Sequence, residues 1–119
     1  MTSLWESLTI DAEDPARLAR WWAEALGYQV VHERPDAVEI RAAAPRTPAI
    51  VFVPVADGKT TRNRLHLDLR PEDQEAEVER LVDMGARHVD VGRDGPGWTM
   101  LADPEGNEFR VLRQRERAG

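Results

Sequence analysis

Residues 64–85, RLHLDLRPEDQEAEVERLVDMG, contain a strand pattern followed directly by a helix pattern. In the first part leucine occupies every second position, and ionisable residues occupy the positions between. Side chains alternate between the two faces of a strand, so residues 64–69 predict a strand with an apolar face and a charged face. In the second part Asp73 is a good N-cap, and Gly85 suits the end of a helix. The apolar stripe of this helix is predicted at Val78, Leu81 and Val82.

The first half of the chain repeats this order of elements. A strand pattern lies within residues 3–12, and a helix pattern, DPARLARWWAEALG, occupies residues 14–27. Asp14 is the predicted N-cap, Pro15 suits the first helical turn, and Gly27 closes the helix. Its predicted stripe is Leu18, Trp21, Trp22, Ala25 and Leu26. Three strand patterns follow each helix, at 28–33, 37–42 and 49–55 in the first half and at 87–91, 97–102 and 107–113 in the second.

Each half therefore predicts a βαβββ module, and the chain predicts an α+β fold with two such modules. One helix can cover only one face of its sheet, so we expect the curved mixed sheets to enclose a cleft with their other faces. We expect a single domain over residues 1–119, with modules at about 4–56 and 64–113, a linker at about 57–63 and a charged tail at 114–119. A ferredoxin-like fold is disfavoured, because only two helix patterns accompany about eight strand patterns.

Composition restricts the function classes. The net charge of -6 and the lack of a basic run disfavour nucleic acid as a partner. The chain has no cysteine, which excludes disulfides and thiolate chemistry. No apolar run approaches the length of a membrane helix, and the N-terminus lacks a signal-peptide pattern. We therefore expect a cytoplasmic protein that has no membrane partner.

Three segments resemble the vicinal oxygen chelate superfamily, also called the glyoxalase/bleomycin-resistance fold. They are DPARLARWWAEALGY, NRLHLDLRPED and WTMLADPEGNEFRVL, within a resemblance that covers residues 4–113. The resemblance implies paired βαβββ modules, a site inside the curved sheets, a small-molecule ligand and a homodimer. It also implies that metal-using members place their ligands at four positions, which correspond here to Ser7, Val53, His66 and Arg110. Of these only His66 is an ordinary metal ligand, so we expect neither a metal nor another cofactor. The alternative is that another subunit or a neighbouring acid, such as Asp68 or Glu108, supplies the missing ligands.

His66 and Asp68 are the candidate catalytic pair, because they share the charged face of the predicted strand. Asp68 could orient His66 for acid–base chemistry, although a lone histidine on a strand is often structural. Arg110 alternates with Glu108 on the last strand. It could clamp an anionic ligand, or it could simply pair with Asp68 or Glu108.

Trp5 and Trp98 are candidate walls for an aromatic ligand, and the alternative is that they fill the concavity as core. Trp5 shares strand parity with Ser7, so we expect it to face the cleft. The candidate ligand-binding residues are Trp5, Ser7, Val53, Arg64, Trp98, Met100, Glu108 and Arg110. The linker KTTRNR, residues 59–64, is expected to be solvated, and the alternative is that Arg62 and Arg64 reach toward the mouth of the cleft.

Three functions remain open from the sequence. The first is a metal-independent lyase or isomerase, in which His66 transfers a proton and Arg110 stabilises an enolate or carboxylate. The second is a protein that sequesters an antibiotic-like molecule, and the third is an accessory domain with a closed cavity. A glyoxalase I activity is disfavoured, because that chemistry depends on the metal that these residues do not supply.

Overall fold

The computed structural model describes residues 2–44, 47–89 and 97–114. The chain divides between Gly58 and Lys59 into two compact units. The predicted tail beyond residue 114 and most of the turn at 94–97 lie outside the described residues.

The first unit contains one helix and four strands. Its elements are β1 (Ser7–Ala12), α1 (Pro15–Leu26), β2 (Gln29–Arg34), β3 (Ala37–Arg41) and β4 (Ala49–Pro54). The sheet has the order β1-β4-β3-β2, in which β1 and β4 are parallel and the other pairs are antiparallel.

The second unit repeats this topology. Its elements are β5 (Asp68–Leu69), α2 (Gln74–Asp83), β6 (Arg87–His88), β7 (Trp98–Ala102) and β8 (Glu108–Leu112). The sheet has the order β5-β8-β7-β6, in which the edge strand β5 is parallel to β8 and the other pairs are antiparallel. The predicted α+β class and the two βαβββ modules are therefore confirmed.

The helix α1 forms as its sequence predicts. The side chain of Asp14 accepts a hydrogen bond from the backbone N–H of Arg17 at 3.2 Å, and Gly27 ends the helix at φ 71°, where a Cβ would be strained. Trp21 and Trp22 are buried and meet edge to face, with ring centroids 5.0 Å apart. This helix covers the face of the first sheet that carries the buried core residues Val38, Ile40, Ile50 and Phe52.

The helix α2 buries a narrower stripe than predicted. Asp73 caps it by accepting from the backbone N–H of Ala76 at 3.1 Å, and Leu81 is completely buried. Val82 is 36% exposed, which corrects its place in the predicted stripe. Successive helical residues are about 100° apart, so a helix that centres Leu81 on its sheet leaves the next residue at the edge of the contact.

The strand predicted at residues 64–69 is much shorter than expected. Only Asp68 and Leu69 pair with β8, and Leu65 is 81% exposed instead of lying on a buried apolar face. The parallel register joins Asp68 to Arg110, so residues 64 and 65 would lie opposite the turn before β8, which offers no strand for them to pair with. Leu67 still contacts β8, because its carbonyl accepts from the backbone N–H of Arg110 at 2.9 Å.

None of the helices in the described parts of the chain is long and apolar enough to cross a membrane.

Candidate functional site

One face of the second sheet gathers most of the predicted site residues. Along β8, Phe109 and Val111 are buried, and Arg110 points to the opposite side because strand side chains alternate. The register pairs Arg110 with Asp68 on β5 and with Met100 on β7, so these three residues form one row across the sheet. We call this surface the second-unit polar face, and its members are Asp68, Trp98, Met100, Glu108 and Arg110.

Arg110 and Asp68 form a two-point ion pair at the centre of this face. The arginine Nε lies 2.7 Å from one carboxylate oxygen of Asp68, and Nη2 lies 2.5 Å from the other. This is the fork geometry that makes arginine–carboxylate pairs strong and directional. The hydrogen bonds from Arg110 lower the pKa of Asp68, and the same contact raises the pKa of Arg110.

His66 joins this pair just before β5 begins. Its Nδ1 lies 3.2 Å from Oδ1 of Asp68, the oxygen that also accepts from Arg110 Nε. The imidazole is one-third exposed, so it remains accessible to a ligand. The predicted pairing of His66 with Asp68 is therefore a contact in the structure.

Trp98 packs against the other end of this group. The guanidinium carbon of Arg110 lies 4.9 Å from the centroid of the Trp98 ring, a cation–π distance. Trp98 is half-buried, whereas Met100 beside it in the sheet is buried. Together with His66, the second-unit polar face thus presents an aromatic ring, a fixed cation and an imidazole as spatial neighbours.

Glu108 lies on the same face but has a structural contact. Its side chain is tied to the start of the second unit, where the Lys59 ammonium lies 2.5 Å from Oε1 and the backbone N–H of Asn63 donates to Oε2 at 2.8 Å. The side chain of Lys59 is only 19% exposed, although residues 59–62 of the predicted linker are exposed as expected. The sequence did not predict these contacts. Strand parity indicates which face Glu108 lies on, but it does not indicate which loop residues meet it.

Ser7 and Val53 lie in the first unit, on the side of the sheet away from α1. The β1–β4 register pairs Ser7 with Ala49 and Asp11 with Val53, so both predicted residues share one face. Glu39 of β3 lies on this face as well, because it pairs with Val51 of β4. The first-unit polar face therefore includes Ser7, Thr9, Asp11, Glu39, Val51 and Val53.

A cluster around Arg41 on the first sheet was not singled out from the sequence. Arg41 donates to Glu39 at 2.5 Å and to Glu6 at 2.9 Å, and these hydrogen bonds raise its pKa. The alternation of Glu39 with the buried residues of β3 indicated a polar face, but Glu6 precedes β1 and its contact depends on the fold.

Trp5 and Arg64 lie outside the strands. β1 begins at Ser7, so the parity argument for Trp5 does not apply; this ring is 69% exposed and its N–H donates to the carbonyl of Ser7 at 3.1 Å. Arg64 is exposed in the segment before β5. Neither position excludes contact with a ligand, and neither is fixed by a sheet.

Of the four positions at which the resemblance places metal ligands, only His66 carries an ordinary ligand. Val53 has no donor atom, Ser7 is a poor ligand, and Arg110 is a cation already bound to Asp68. A catalytic zinc site needs about three protein ligands. Across residues 2–44, 47–89 and 97–114, no group of three or more His, Cys, Asp or Glu side chains is arranged to hold a metal ion.

Comparison with known proteins agrees with this architecture. A family model described as glyoxalase-like domain matches residues 7–112. Among solved structures, a glyoxalase/bleomycin resistance protein/dioxygenase family enzyme from Burkholderia phytofirmans superimposes with a TM-score of 0.75 at 16% identity, covering 95% of this chain and all of that one. No curated protein matches the chain in sequence.

Two further neighbours carry names that state what they bind. An antibiotic binding protein from a Streptomyces species gives a TM-score of 0.63 at 18% identity, over 97% of this chain and 98% of its own. A fosfomycin resistance protein from Listeria monocytogenes, solved with Mn(II) and a dihydroxypropylphosphonic acid, gives 0.71 at 14% identity, over 97% and 92%. At these identities the likeness shows the fold alone. The family model and the repeated module together identify the chain as a member of the glyoxalase-like domain family, within the vicinal oxygen chelate superfamily.

Proposed function

We propose that this protein binds a small planar or anionic organic molecule against the second-unit polar face, without a metal. The observation that carries the proposal is the continuous contact from Trp98 through Arg110 and Asp68 to His66. A ligand that stacks on the indole ring would lie beside a fixed cation and within reach of the imidazole. The chemistry of the metal-holding positions supports metal independence, because only the imidazole of His66 is an ordinary ligand there.

The reaction class that these groups suit is proton transfer, as in a lyase or isomerase. His66 would move the proton, and the cationic Arg110 would favour a ligand on which negative charge develops.

Replacing His66 by alanine is expected to lower turnover of an identified substrate about 10²- to 10⁴-fold while leaving binding nearly unchanged. His88→Ala, on the exposed strand β6, is the matched control and should keep full activity. Equal turnover in the two variants would remove the catalytic role.

Sequestration of an antibiotic-like compound is the second candidate. The stacked Trp98–Arg110 pair favours it, because such a surface binds an aromatic body without any chemical step. The Streptomyces neighbour named as an antibiotic binding protein is consistent with this use of the fold. In this case the ligand would be recovered unaltered after tight binding.

A tryptophan fluorescence titration tests the shared part of both proposals. The chain has four tryptophans, and Trp21 and Trp22 are buried in the core, so a surface ligand should act mainly on the other two. We expect aromatic or anionic compounds to quench the wild type and the Trp5→Phe variant, and to lose most of this quenching in Trp98→Phe. Product analysis of the bound fraction then separates catalysis from sequestration.

No quenching by any compound of a broad aromatic and anionic panel would contradict both proposals and favour an accessory domain with a closed cavity. Equal loss of quenching in the Trp5→Phe variant would place the ligand on the first unit instead.

We further propose that the protein acts in the cytoplasm as a homodimer, as the absence of cysteine and the family resemblance suggest.

A further inference from the structure

Two side chains of the second-unit polar face, Arg110 and Asp68, form a series with His66, an accessible histidine just before β5. Arg110 on β8 contacts Asp68 on β5 through two hydrogen bonds, and Asp68 contacts His66 through a third. The parallel register of β5 with β8 places the first two directly opposite each other. The series therefore runs across the sheet, and sheet pairing sets its geometry.

The direction of the last hydrogen bond follows from the charge of Asp68. The pKa of this carboxyl lies below the ordinary 3.8, chiefly because Arg110 donates to it, so the group is ionised at neutral pH. An ionised carboxylate can only accept hydrogen bonds. His66 must therefore donate from Nδ1, and in a neutral ring the lone pair available for chemistry is then on Nε2.

Arg110 is placed to hold the carboxylate in the orientation that this bond requires. Two donors of a planar guanidinium fix both oxygens of Asp68, which a single-point cation would not do. The Trp98 ring, 4.9 Å from the guanidinium carbon, restrains Arg110 in turn. Asp68 is itself exposed, so without these contacts its side chain would be free to choose other rotamers.

We propose that Arg110 acts as a positioning residue, which through Asp68 holds His66 with its proton on Nδ1 and presents Nε2 as the proton acceptor for a ligand. The inference rests on the proposed function in naming Nε2 as the atom that meets the ligand. Of the two roles that the sequence left open for Arg110, this favours the pair with Asp68, because the fork is committed to that carboxylate and is not an open clamp for a ligand.

This arrangement selects a class of ligand. The Nε2 lone pair accepts a proton from carbon, nitrogen or oxygen of the ligand, the ring becomes an imidazolium that still donates from Nδ1 to Asp68, and the ligand keeps the electron pair as an anion. The geometry therefore suits a planar molecule with an acidic proton, such as a phenol, an enol or an enolisable carbonyl compound. A ligand without such a proton could not transfer one to Nε2 of His66.

The tautomer of His66 can be measured without knowing the ligand. The chain has three histidines, so nitrogen-15 spectra of the labelled full-length protein at mildly alkaline pH, where imidazole is neutral, resolve each ring. We expect His66 to be predominantly protonated on Nδ1. His32 and His88, which are exposed, serve as references for the usual preference for protonation on Nε2.

Three variants separate positioning from general stability. Arg110→Gln should shift His66 toward the Nε2-protonated form, and Arg110→Lys, which keeps the charge but not the fork, should restore the wild-type tautomer only in part. Arg80→Gln is the matched control, because Arg80 pairs with Glu77 on the exposed side of α2, and it should leave the tautomer unchanged.

Each result bears on the proposal directly. A His66 that is mainly protonated on Nε2 in the wild type would overturn it, and so would an unchanged tautomer in both Arg110 variants. If the tautomers behave as expected but no compound binds or turns over, the positioning role stands and the proposed function fails. If binding and turnover are found while His66 carries its proton on Nε2, the function stands and this inference is wrong.

Discussion

Asp68 shows how one carboxylate connects two side chains of the candidate site. Its oxygens accept from Arg110, and one of them also accepts from His66. From the sequence, Arg110 could either pair with an acid or clamp a ligand. The structure contains the pair, and the alternation of residues in RLHLDLR explains why His66 and Asp68 are near each other. It does not explain the contact with Arg110, which lies 42 residues further on.

The ion pair predicts how stability depends on pH. A carboxyl whose pKa is lowered on folding stabilises the folded state above its unfolded pKa, here 3.8, and this contribution is lost as the pH falls below that value toward the folded pKa. Urea unfolding at a series of pH values should therefore show Asp68→Asn less stable than the wild type near neutrality, with the difference shrinking below about pH 4. The pair is partly exposed, so we expect a difference of no more than about 1 kcal/mol.

Asp57→Asn is the control for this measurement. Asp57 is an exposed aspartate in the first unit, and its replacement should not produce a stability difference that closes at low pH. A difference in unfolding free energy between the wild type and Asp68→Asn that stays constant down to pH 3 would contradict the proposed contribution of the Asp68 ion pair.

The helices are the elements that follow most directly from the sequence. Both begin after an aspartate whose side chain accepts from the backbone of the first turn, and α1 ends at a glycine with positive φ. These are local interactions within a few residues, so local patterns suffice to predict them. The strand β5 is the opposite case, because residues 64 and 65 fit the alternating pattern but lie opposite the turn before β8.

The end of α1 provides a test of backbone strain without steric conflict. A Cβ added at Gly27 would meet no heavy atom within 4 Å, but the φ of 71° is unfavourable for an L side chain. Gly27→Ala should therefore cost about 1–2 kcal/mol of unfolding free energy. Gly27→Asn should cost less, since asparagine tolerates the left-handed region better. Urea denaturation measures both, and an alanine variant as stable as the wild type would be inconsistent with the strain.

The two units share one strand order, each with a parallel pair that joins its first and last strands. Each also places an arginine–carboxylate pair on its polar side, Arg41 with Glu39 and Arg110 with Asp68. The repeat of pattern seen in the sequence is thus a repeat of topology. Large apolar side chains are nevertheless exposed on both units, including Leu4, Trp5 and Leu65.

We expect a second copy of the chain to cover part of this exposed apolar surface. Sedimentation velocity should then give a particle of twice the 13.5 kDa chain mass. Leu65→Glu, which places a charge on an 81% exposed leucine, should weaken the dimer at least tenfold, whereas Val82→Glu on α2 should not. A monomer at micromolar concentration would contradict the expected homodimer.

The sequence by itself determined the class of fold, the order of the ten elements found in the described residues, and both helix starts. These depend on side-chain periodicity and capping, which act over a few residues. Only the tertiary structure decided that β5 is two residues long, that Glu108 bonds to Lys59 and that Arg110 is committed to Asp68. Each of these requires two distant segments to meet, and periodicity along one segment contains no information about the register or the partner of the other.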